Sequence, residues 1–224
     1  MRSVTDQSEW LDGMEIGALV PSSMEEVLGV LSRGMRDNPL HVAAFGDDPE
    51  IRQRKFHRLM SAAFTFRDLS HTLLARSEDG VIVGVCGMTP PGECQPGLRQ
   101  QLQILPTLLR LGLPSAGRVA RWLGIWSKHD PDESHWHLGP LAVDAHLQRR
   151  GVGGRLMQVF CAQMDAAGDD AYLETDKPIN VRFYERYGFE VIGEEEVLGV
   201  TNWFMHRTGK GGESEGDRHI QELQ

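Results

Sequence analysis

Residues 138–154 read LGPLAVDAHLQRRGVGG: an apolar run ends at Asp144, and a glycine-rich turn, residues 148–154, follows it. Apolar residues at helical spacing begin directly after the turn, so this stretch predicts a strand, a tight loop and a helix. The first turn of a helix leaves backbone N–H groups without intrahelical partners and carries the positive end of the peptide dipoles. The turn is therefore suited to bind an anion such as a phosphate.

Glycines and arginines in the turn favour the same interpretation. Gly151, Gly153 and Gly154 lack the Cβ atom that would keep a ligand away from the backbone. Arg149 and Arg150 add charged hydrogen-bond donors. A glycine-rich turn alone is equally consistent with a plain left-handed turn, so the rest of the chain has to decide between the two.

The length and composition of the chain predict one domain of ordinary size. Of 224 residues, 40% are hydrophobic and 25% are charged, as in soluble globular proteins. We expect a single domain over residues 13–208, with a flexible N-terminus over residues 1–12 and a disordered tail over residues 209–224. The net charge of −9 argues against nucleic acid as a partner and favours a cationic or neutral small molecule.

Cysteine spacing and hydropathy bear on the compartment. Cys86, Cys94 and Cys161 show neither the spacing of a metal site nor that of a disulfide framework, so the sequence predicts no metal and three reduced thiols. No window approaches about 18 unbroken apolar residues, the length that a membrane span needs. We therefore expect a cytoplasmic protein without membrane insertion.

The order of short strands and helices predicts an α/β fold of the α+β type, with a mixed, mostly antiparallel twisted sheet of about six to seven strands flanked by helices. A first helix near residues 21–35 ends at Asn38-Pro39, and a second opens at Asp48-Pro49. We expect strands near residues 14–20, 71–76, 81–88, 135–143, 171–175, 189–193 and 200–207.

Residues 94–129 form a helical insertion without a single acidic residue, in which five basic residues alternate with leucines and two tryptophans. Pro106 and Pro114 predict that it is divided into short helices, with Ser115 as an N-cap. Three roles are open: an amphipathic cover for the sheet, a lid over the substrate, or a basic surface that contacts a membrane or a partner.

A second motif follows the glycine-rich turn. After another predicted strand, residues 180–189 carry Asn180-x-x-Phe183-Tyr184-x-x-x-Gly188-Phe189. Together with Gln148-x-x-Gly151-x-Gly153, this order resembles the acyl-CoA-binding half of the GNAT N-acetyltransferase superfamily. The motifs cover roughly the C-terminal third of the chain.

Further residues narrow the resemblance. The motif at residues 180–189, the stretch Leu173-Glu-Thr175 and the stretch Thr201-x-Trp203-x-Met205 are similar to the puromycin N-acetyltransferase group. The resemblance implies an acyltransferase that uses acetyl-CoA as co-substrate and moves the acetyl group directly to a primary amine. It does not identify the amine, because one fold hosts many substrates.

The resemblance also implies where acetyl-CoA binds. The pantetheine arm is expected on the backbone of the strand before the turn, and the pyrophosphate on the amides of the turn itself, in agreement with the anion site inferred above. The residues expected to bind the cofactor are Leu141, Ala142, Val143, Gln148, Arg149, Arg150, Gly151, Val152, Gly153, Gly154, Asn180 and Phe183.

Tyr184 is implied as the general acid that protonates the departing thiolate. A thiol pKa of about 8.5 and a phenol pKa of about 10 make this transfer close to balanced. The amine in turn needs a base, and Glu174 is the first candidate. His137, with His135 two positions away, is the alternative because of its imidazole. A bound water relay could replace all three.

Two points stay open at this stage. Asn180 precedes Tyr184 by four residues, so it either contacts the cofactor or caps the helix. The fold could also serve a non-catalytic module that binds acyl-CoA as a sensor or as a scaffold for a partner. The expected partners are a small-molecule amine and, as one option, a second copy of the chain in a homodimer.

Overall fold

The computed structural model describes residue 11, residues 13–65 and residues 69–211. The predicted flexible residues 1–10 and 12 and the predicted disordered residues 212–224 lie outside these ranges. Between them, a seven-stranded sheet runs in the order β1-β2-β3-β4-β5-β7-β6. The strands are β1 (Glu15–Ala18), β2 (Leu73–Arg76), β3 (Ile82–Thr89), β4 (Trp136–Val143), β5 (Ala171–Thr175), β6 (Glu190–Val197) and β7 (Val200–Arg207).

Every neighbouring pair of strands is antiparallel except β4 and β5, which are parallel. The predicted mixed, mostly antiparallel sheet is therefore confirmed. Seven α-helices lie within the described ranges: α1 (Met24–Gly34), α2 (Pro39–Phe45), α3 (Pro49–Phe64), α4 (Leu98–Arg110), α5 (Leu113–His129), α6 (Val152–Ala167) and α7 (Pro178–Glu185). None of the helices in this part of the chain has the length and apolar character needed to cross a membrane.

The two faces of the sheet carry separate hydrophobic cores. On one side, buried side chains of α6 such as Leu156 and Phe160 pack against Leu138 and Leu173 of the sheet. On the other, Leu31 of α1 and residues of α2, α3 and α5 pack with sheet residues such as those of β2 and β3. We call these sides the α6 face and the α1 face. The apolar stripe that predicts α6 is buried throughout, as expected for a core helix.

The structure corrects three predictions about helix boundaries. Pro39 does not only end a helix; it occupies the first turn of α2, where a missing N–H costs nothing. Pro106 lies inside α4 instead of dividing it, at an exposed position where water can solvate the carbonyl group that loses its partner. Ser115 is not an N-cap: Gly112 precedes α5, and the Ser115 hydroxyl accepts a hydrogen bond from Lys55 Nζ at 2.9 Å.

The insertion at residues 94–129 is thus two helices with different surroundings. Helix α5 buries Val119, Trp122 and Ile125 in the core of the α1 face, so it acts as a cover for the sheet. Helix α4 has no buried residue. Its exposed leucines form one stripe along the helix: Leu98, Leu102, Leu105 and Leu109.

Strands β4 and β5 separate after a short contact, and this gap positions the site. Only Trp136 and His137 of β4 pair with β5. The residues from Leu138 to Val143 pair with β3 on their other side, with an irregularity at residues 139 and 140. Gly87 faces this irregularity, and a Cβ at Gly87 would stand 2.6 Å from the carbonyl oxygen of Gly139. Among the described residues, no strand therefore pairs with the β5 side of β4 from Leu138 to Val143.

Candidate active site

The loop between β4 and α6 has the conformation that an anion site needs. Arg149 has a φ of 62° and Gly151 a φ of 93°, so both lie in the left-handed region of the backbone. Gly151 directly precedes α6, and its carbonyl oxygen accepts the Arg155 N–H at 3.0 Å. The amides of the first turn of α6, a helix of 16 residues, come immediately after the end of β4. The predicted strand, loop and helix are confirmed, and the loop presents N–H groups to an anion.

Side chains on the α1 face fix this loop in place. Gln148 Nε2 donates to the carbonyl oxygens of Gly34, at 2.8 Å, and Val143, at 3.2 Å. A Cβ at Gly34 would overlap the Val143 carbonyl, so the end of α1 lies directly on the end of β4. The side chain of Gln148 thus joins α1 to β4 and holds the start of the loop; that Gln148 also binds the cofactor stays a prediction.

Asp144 adds a second link between α1 and the loop. Arg33 donates to Asp144 Oδ2 from Nε at 3.0 Å and from Nη2 at 2.6 Å, and His146 Nδ1 lies 3.0 Å from Oδ1. Burial by itself would raise the pKa of Asp144, but the hydrogen bonds from Arg33 and His146 outweigh it and leave the pKa below its ordinary value. The carboxylate therefore stays ionised and holds the loop through charge-assisted bonds.

Glycines of α6 allow three elements to meet beside the gap. A Cβ at Gly153 would lie 3.7 Å from both Phe183 Cζ and Val143 Cγ2. Tyr187 donates from its hydroxyl to the Gly154 carbonyl at 3.3 Å. The first turn of α6, the end of β4 and helix α7 thus line one narrow space. Val143, Gly153 and Phe183 were predicted to bind the cofactor, and the structure brings them together.

Asn180 lies inside α7 and does not cap it. The N-cap position is Lys177, whose side chain makes no capping bond, and Asn180 is the third residue of the helix. Asn180 Nδ2 donates to Thr175 Oγ1 at 3.2 Å. Of the two roles considered for Asn180, the cap is therefore wrong; the side chain connects α7 to the end of β5.

Tyr184 lies on the α6 face among aromatic side chains. Its ring centroid is 5.2 Å from that of Phe183 and 5.9 Å from that of Phe189. Burial raises the pKa of Tyr184, and the nearby Cys86 and Asp176 add to the effect. The phenol is therefore protonated at neutral pH, as a general acid must be. Because the phenol pKa is raised, it lies further above the pKa of a thiol than it does for the unperturbed groups. Proton transfer from Tyr184 to a thiolate is therefore less close to balance.

Glu174 and His137 form one unit on the α1 face. His137 Nε2 lies 2.8 Å from Glu174 Oε2, and the exposed fractions of the two side chains are 16% and 4%. His137 pairs with Tyr172 across the parallel strands, which puts Glu174, two residues further along β5, on the same face. Burial raises the pKa of Tyr172, and the charge of Glu174 adds to it. The two alternative bases are thus neighbours.

His135 belongs to a different group of side chains. Its Nδ1 lies 2.8 Å from the Glu133 carbonyl oxygen and its Nε2 lies 3.2 Å from Asp130 Oδ1. Cys94 Sγ is 3.6 Å from the same Nε2. Sequence reasoning missed Cys94 and Asp130, because they lie before and after two helices and no local motif links them.

The candidate acid and base stand on opposite faces of the sheet. Leu173 belongs to the core of the α6 face, so its neighbour Glu174 points to the α1 face, whereas Tyr184 is part of the α6-face core. Between them, β4 and β5 are apart. A molecule in this gap could meet a proton acceptor on one side and a proton donor on the other, with backbone N–H groups of α6 at the end of β4.

Known proteins share this arrangement of elements. The acetyltransferase (GNAT) family model matches residues 38–189, from α2 to the residue before β6. This range contains the open strand β4, the loop, α6, β5 and α7.

Solved structures show the same fold at low sequence identity. One is described as a histone acetyltransferase HPA2 and related acetyltransferase from Corynebacterium glutamicum: the identity is 15%, the TM-score is 0.64, and the match covers 90% of this chain and 99% of that one. Polyamine N-acetyltransferase from Drosophila melanogaster is 16% identical, with a TM-score of 0.62 over 87% and 99% of the two chains. Arylalkylamine N-acetyltransferase 2 from Aedes aegypti is 15% identical, with a TM-score of 0.59 over 87% and 98%.

Proposed function

Because the chain belongs to the acetyltransferase (GNAT) family and is an acyltransferase, we propose that it transfers the acetyl group of acetyl-CoA directly to a primary amine of a small molecule. The observation that carries the proposal is the gap between β4 and β5, with the Glu174–His137 pair on one side and Tyr184 on the other. The N-terminus of α6 adds a site for the pyrophosphate of the cofactor.

The amine enters the reaction from the α1 face. An alkylamine has a pKa of about 10 and is mostly protonated at neutral pH, so it must lose a proton before it can attack the thioester. Glu174 accepts this proton. His137 donates from Nε2 to the carboxylate and so orients it toward the amine. The amine nitrogen then forms a bond to the acetyl carbon.

The thiolate leaves on the α6 face. When the carbon–sulfur bond breaks, the electron pair goes to sulfur, and Tyr184 delivers its phenolic proton there. Burial keeps Tyr184 protonated before this step. Pantetheine extends along the backbone of β4 from Leu141 to Val143, whose edge on the β5 side has no strand partner. The acetylated nitrogen then loses its remaining extra proton, which restores the Tyr184 phenol, and Glu174 releases its proton to solvent. The products are coenzyme A, the N-acetyl product and one proton.

A covalent acetyl-enzyme plays no part in this scheme. Burial raises the pKa of the Cys86 thiol and, less strongly, that of Cys161, so both are poor nucleophiles. Cys94 lies with Asp130 and His135 on the side of Glu174 and His137, whereas Tyr184 belongs to the core of the α6 face. Transfer within a ternary complex therefore fits the positions of all three thiols.

The substrate class follows from charge and from the similar proteins. The net charge of −9 favours a cationic acceptor, and polyamine and arylalkylamine are the substrates in the names of two proteins with this fold. We propose an amine of this general kind. The narrower likeness to the puromycin N-acetyltransferase group rests on the motifs near the C-terminus and stays a prediction.

A thiol-release assay with acetyl-CoA and a broad set of amines tests the proposal. We expect release of coenzyme A with at least one amine and a mass increase of one acetyl group in the product. Calorimetric titration with acetyl-CoA is the companion measurement. Absence of binding at millimolar acetyl-CoA contradicts the proposal, whereas binding without turnover of any amine would favour the non-catalytic module.

A further inference from the structure

Beside the catalytic gap, three side chains from distant segments place metal-binding atoms close together. The Cys94 sulfur, a carboxylate oxygen of Asp130 and a ring nitrogen of His137 all lie within 4.8 Å of one another. They come from the segment after β3, the residue after α5 and the start of β4. Thiolate, carboxylate and imidazole together form a ligand set that suits zinc.

The hydrogen bond of His137 to Glu174 has the geometry that metal-bound histidines use. A ligating histidine commonly donates its other ring N–H to a carboxylate, which fixes the tautomer and turns the second nitrogen to the ion. His137 Nε2 lies 2.8 Å from the buried Glu174 carboxylate. His137 is therefore oriented as a ligating histidine would be.

His135 adds a nitrogen beside the same donors. Its Nδ1 lies 2.8 Å from the Glu133 carbonyl oxygen, which can only accept, so Nδ1 carries a proton. Its Nε2 lies 3.2 Å from Asp130 Oδ1 and 3.6 Å from Cys94 Sγ. Ligands on a tetrahedral zinc stand about 3.5 Å apart, so these separations already suit an ion.

An open cavity leads to this cluster. Its volume is about 430 Å³, and Cys94, Asp130 and His135 line it. Asp132 and Glu133, which are exposed, also line it and give its mouth a negative charge that favours cations. An ion from solvent can therefore reach the cluster without passing through the catalytic gap.

We propose that Cys94, Asp130 and His137 form a binding site for a divalent transition-metal ion, for which zinc fits the donors best, and that His135 positions Asp130 and Cys94 through its contacts with them. The proposal replaces the expectation of no metal site, which came from cysteine spacing alone. Cysteine spacing gives no sign of the site because α4 and α5 separate Cys94 from Asp130 in sequence, whereas the fold brings the two residues together.

The ion regulates acetyl transfer through His137, a consequence that rests on the proposed function. An ion on one ring nitrogen fixes the orientation of the ring, and with it the hydrogen bond of 2.8 Å to Glu174. This bond has to rearrange when Glu174 takes up the proton of the amine, so an ion that holds the ring slows the transfer. Zinc therefore inhibits the transferase at concentrations that fill the site.

Titration of the full chain with Co²⁺ tests the metal site without any use of activity. Co²⁺ bound to a thiolate absorbs in the near ultraviolet through charge transfer from sulfur, so we expect this band to saturate at one ion per chain and to disappear when Zn²⁺ is added. Cys94→Ser should remove the band, and Asp130→Asn and His135→Gln should each weaken binding at least tenfold. Cys161→Ser, which changes a thiol outside the cluster, is the matched control and should keep it.

Two results would overturn the metal site: no charge-transfer band in the wild type, or an equal band in Cys94→Ser with its melting temperature unchanged. The regulatory consequence is measured as the ratio of transfer rates with and without Zn²⁺, which should rise toward one in Cys94→Ser. A normal Co²⁺ titration without acetyl transfer to any amine counts against the proposed function and leaves the metal site in place. Inhibition that is equal in the wild type and in Cys94→Ser overturns the coupling to His137.

Discussion

The two sides of the gap between β4 and β5 are lined by different kinds of chemical group. The side toward α6 offers backbone N–H groups, glycines and apolar or aromatic side chains, and those beside the loop, such as Val143, Gly153 and Phe183, lie within residues 138–189. The side toward α1 offers ionisable side chains, Glu174, His137 and His135 among them, which meet Cys94 and Asp130 from distant segments. An anion site can be made from contiguous chain, whereas a site that handles protons needs groups whose environments differ, and tertiary structure supplies those.

Removal of the proton acceptor is the strongest way to test this difference. Glu174→Gln keeps a hydrogen-bonding oxygen opposite His137 but cannot take a proton from the amine. We expect kcat to fall by about 10²- to 10⁴-fold, the usual worth of general base catalysis, with little change in the KM for acetyl-CoA. Steady-state kinetics with the best amine measure both constants.

Glu195→Gln is the matched control for that experiment. Glu195 is a carboxylate paired with His129 on another part of the sheet, outside the gap. Its variant should keep the wild-type kcat. A Glu174→Gln enzyme with a rate within threefold of wild type would mean that a water relay, and not the Glu174–His137 pair, accepts the proton.

Removal of the proton donor on the α6 face should have the next largest effect. Tyr184→Phe keeps the aromatic packing against Phe183 and Phe189 but leaves the thiolate without an acid. We expect kcat to fall roughly ten- to hundredfold while the Kd for acetyl-CoA changes less than twofold. Because burial raises the pKa of Tyr184, the wild-type kcat should not decline through loss of this proton as the pH rises to about 10.

Tyr187→Phe is the control for Tyr184→Phe, because it also removes a phenol hydroxyl but leaves the proposed acid in place. Its hydroxyl donates to the Gly154 carbonyl, so the variant loses about 1 kcal/mol of stability, the net worth of one hydrogen bond, and keeps its turnover. If Tyr184→Phe and Tyr187→Phe slow the reaction equally, Tyr184 has no special part in the chemistry.

The same difference explains what the sequence could predict. The order of elements from β4 to α7 follows from apolar periodicity, a glycine-rich turn and helix signals that lie within a few residues of one another, and the structure confirms it. The pairing of Glu174 with His137 depends on the register of β4 with β5, which no local pattern encodes. Pro106 misled the prediction for α4, since an exposed proline within a helix costs less than a buried one.

Placement of Gln148 shows a second limit. The motif associates this residue with the cofactor and gives no sign that its side-chain amide also connects α1 with β4. That role depends on Gly34, where the absence of a side chain lets α1 lie on the Val143 carbonyl. A contact between residues 114 positions apart cannot be read from a motif that covers only the C-terminal third of the chain.

A change on the α6 face should affect cofactor affinity with little effect on stability. Gly153→Ala adds a Cβ at 3.7 Å from Phe183 and Val143, an ordinary contact distance, so the fold should persist. The added methyl group narrows the space between β4 and α6, and we expect the Kd for coenzyme A to rise about tenfold, or about 1.4 kcal/mol. Calorimetry measures the Kd and thermal melting measures the stability.

Gly124→Ala is the control for the glycine change. A Cβ at Gly124 in α5 meets nothing within 4 Å, so this variant should bind coenzyme A normally and gain up to about 1 kcal/mol of stability from the better helix propensity of alanine. Unchanged coenzyme A affinity in Gly153→Ala would move the cofactor away from the first turn of α6.

The smallest effect we expect is on stability: a fall in pH should first lower the free energy of unfolding through the packing on the α1 face. His41 is buried there against Phe56 and Trp122, with Nδ1 at 2.7 Å from the Met35 carbonyl oxygen. Burial, with smaller contributions from the charges of Lys177 and Arg52, lowers the pKa of His41 to about 4, although the hydrogen bond to the Met35 carbonyl acts in the opposite direction. His41 is therefore neutral in the folded protein at pH values where the unfolded chain is already protonated.

The sign of the pH dependence follows from this lowered pKa. Between the unfolded pKa of about 6.5 and the folded value of about 4, the unfolded state binds more protons, so stability is complete above pH 6.5 and declines as the pH falls toward 4. We expect a loss of about 1 kcal/mol in the free energy of unfolding between pH 7.5 and pH 5.5, measured by urea denaturation. Asp37, with a pKa lowered to about 2, titrates below this window. His41→Asn, which can still donate to Met35 but cannot take a proton, should abolish the decline, and a decline that persists in this variant would place the titrating group elsewhere.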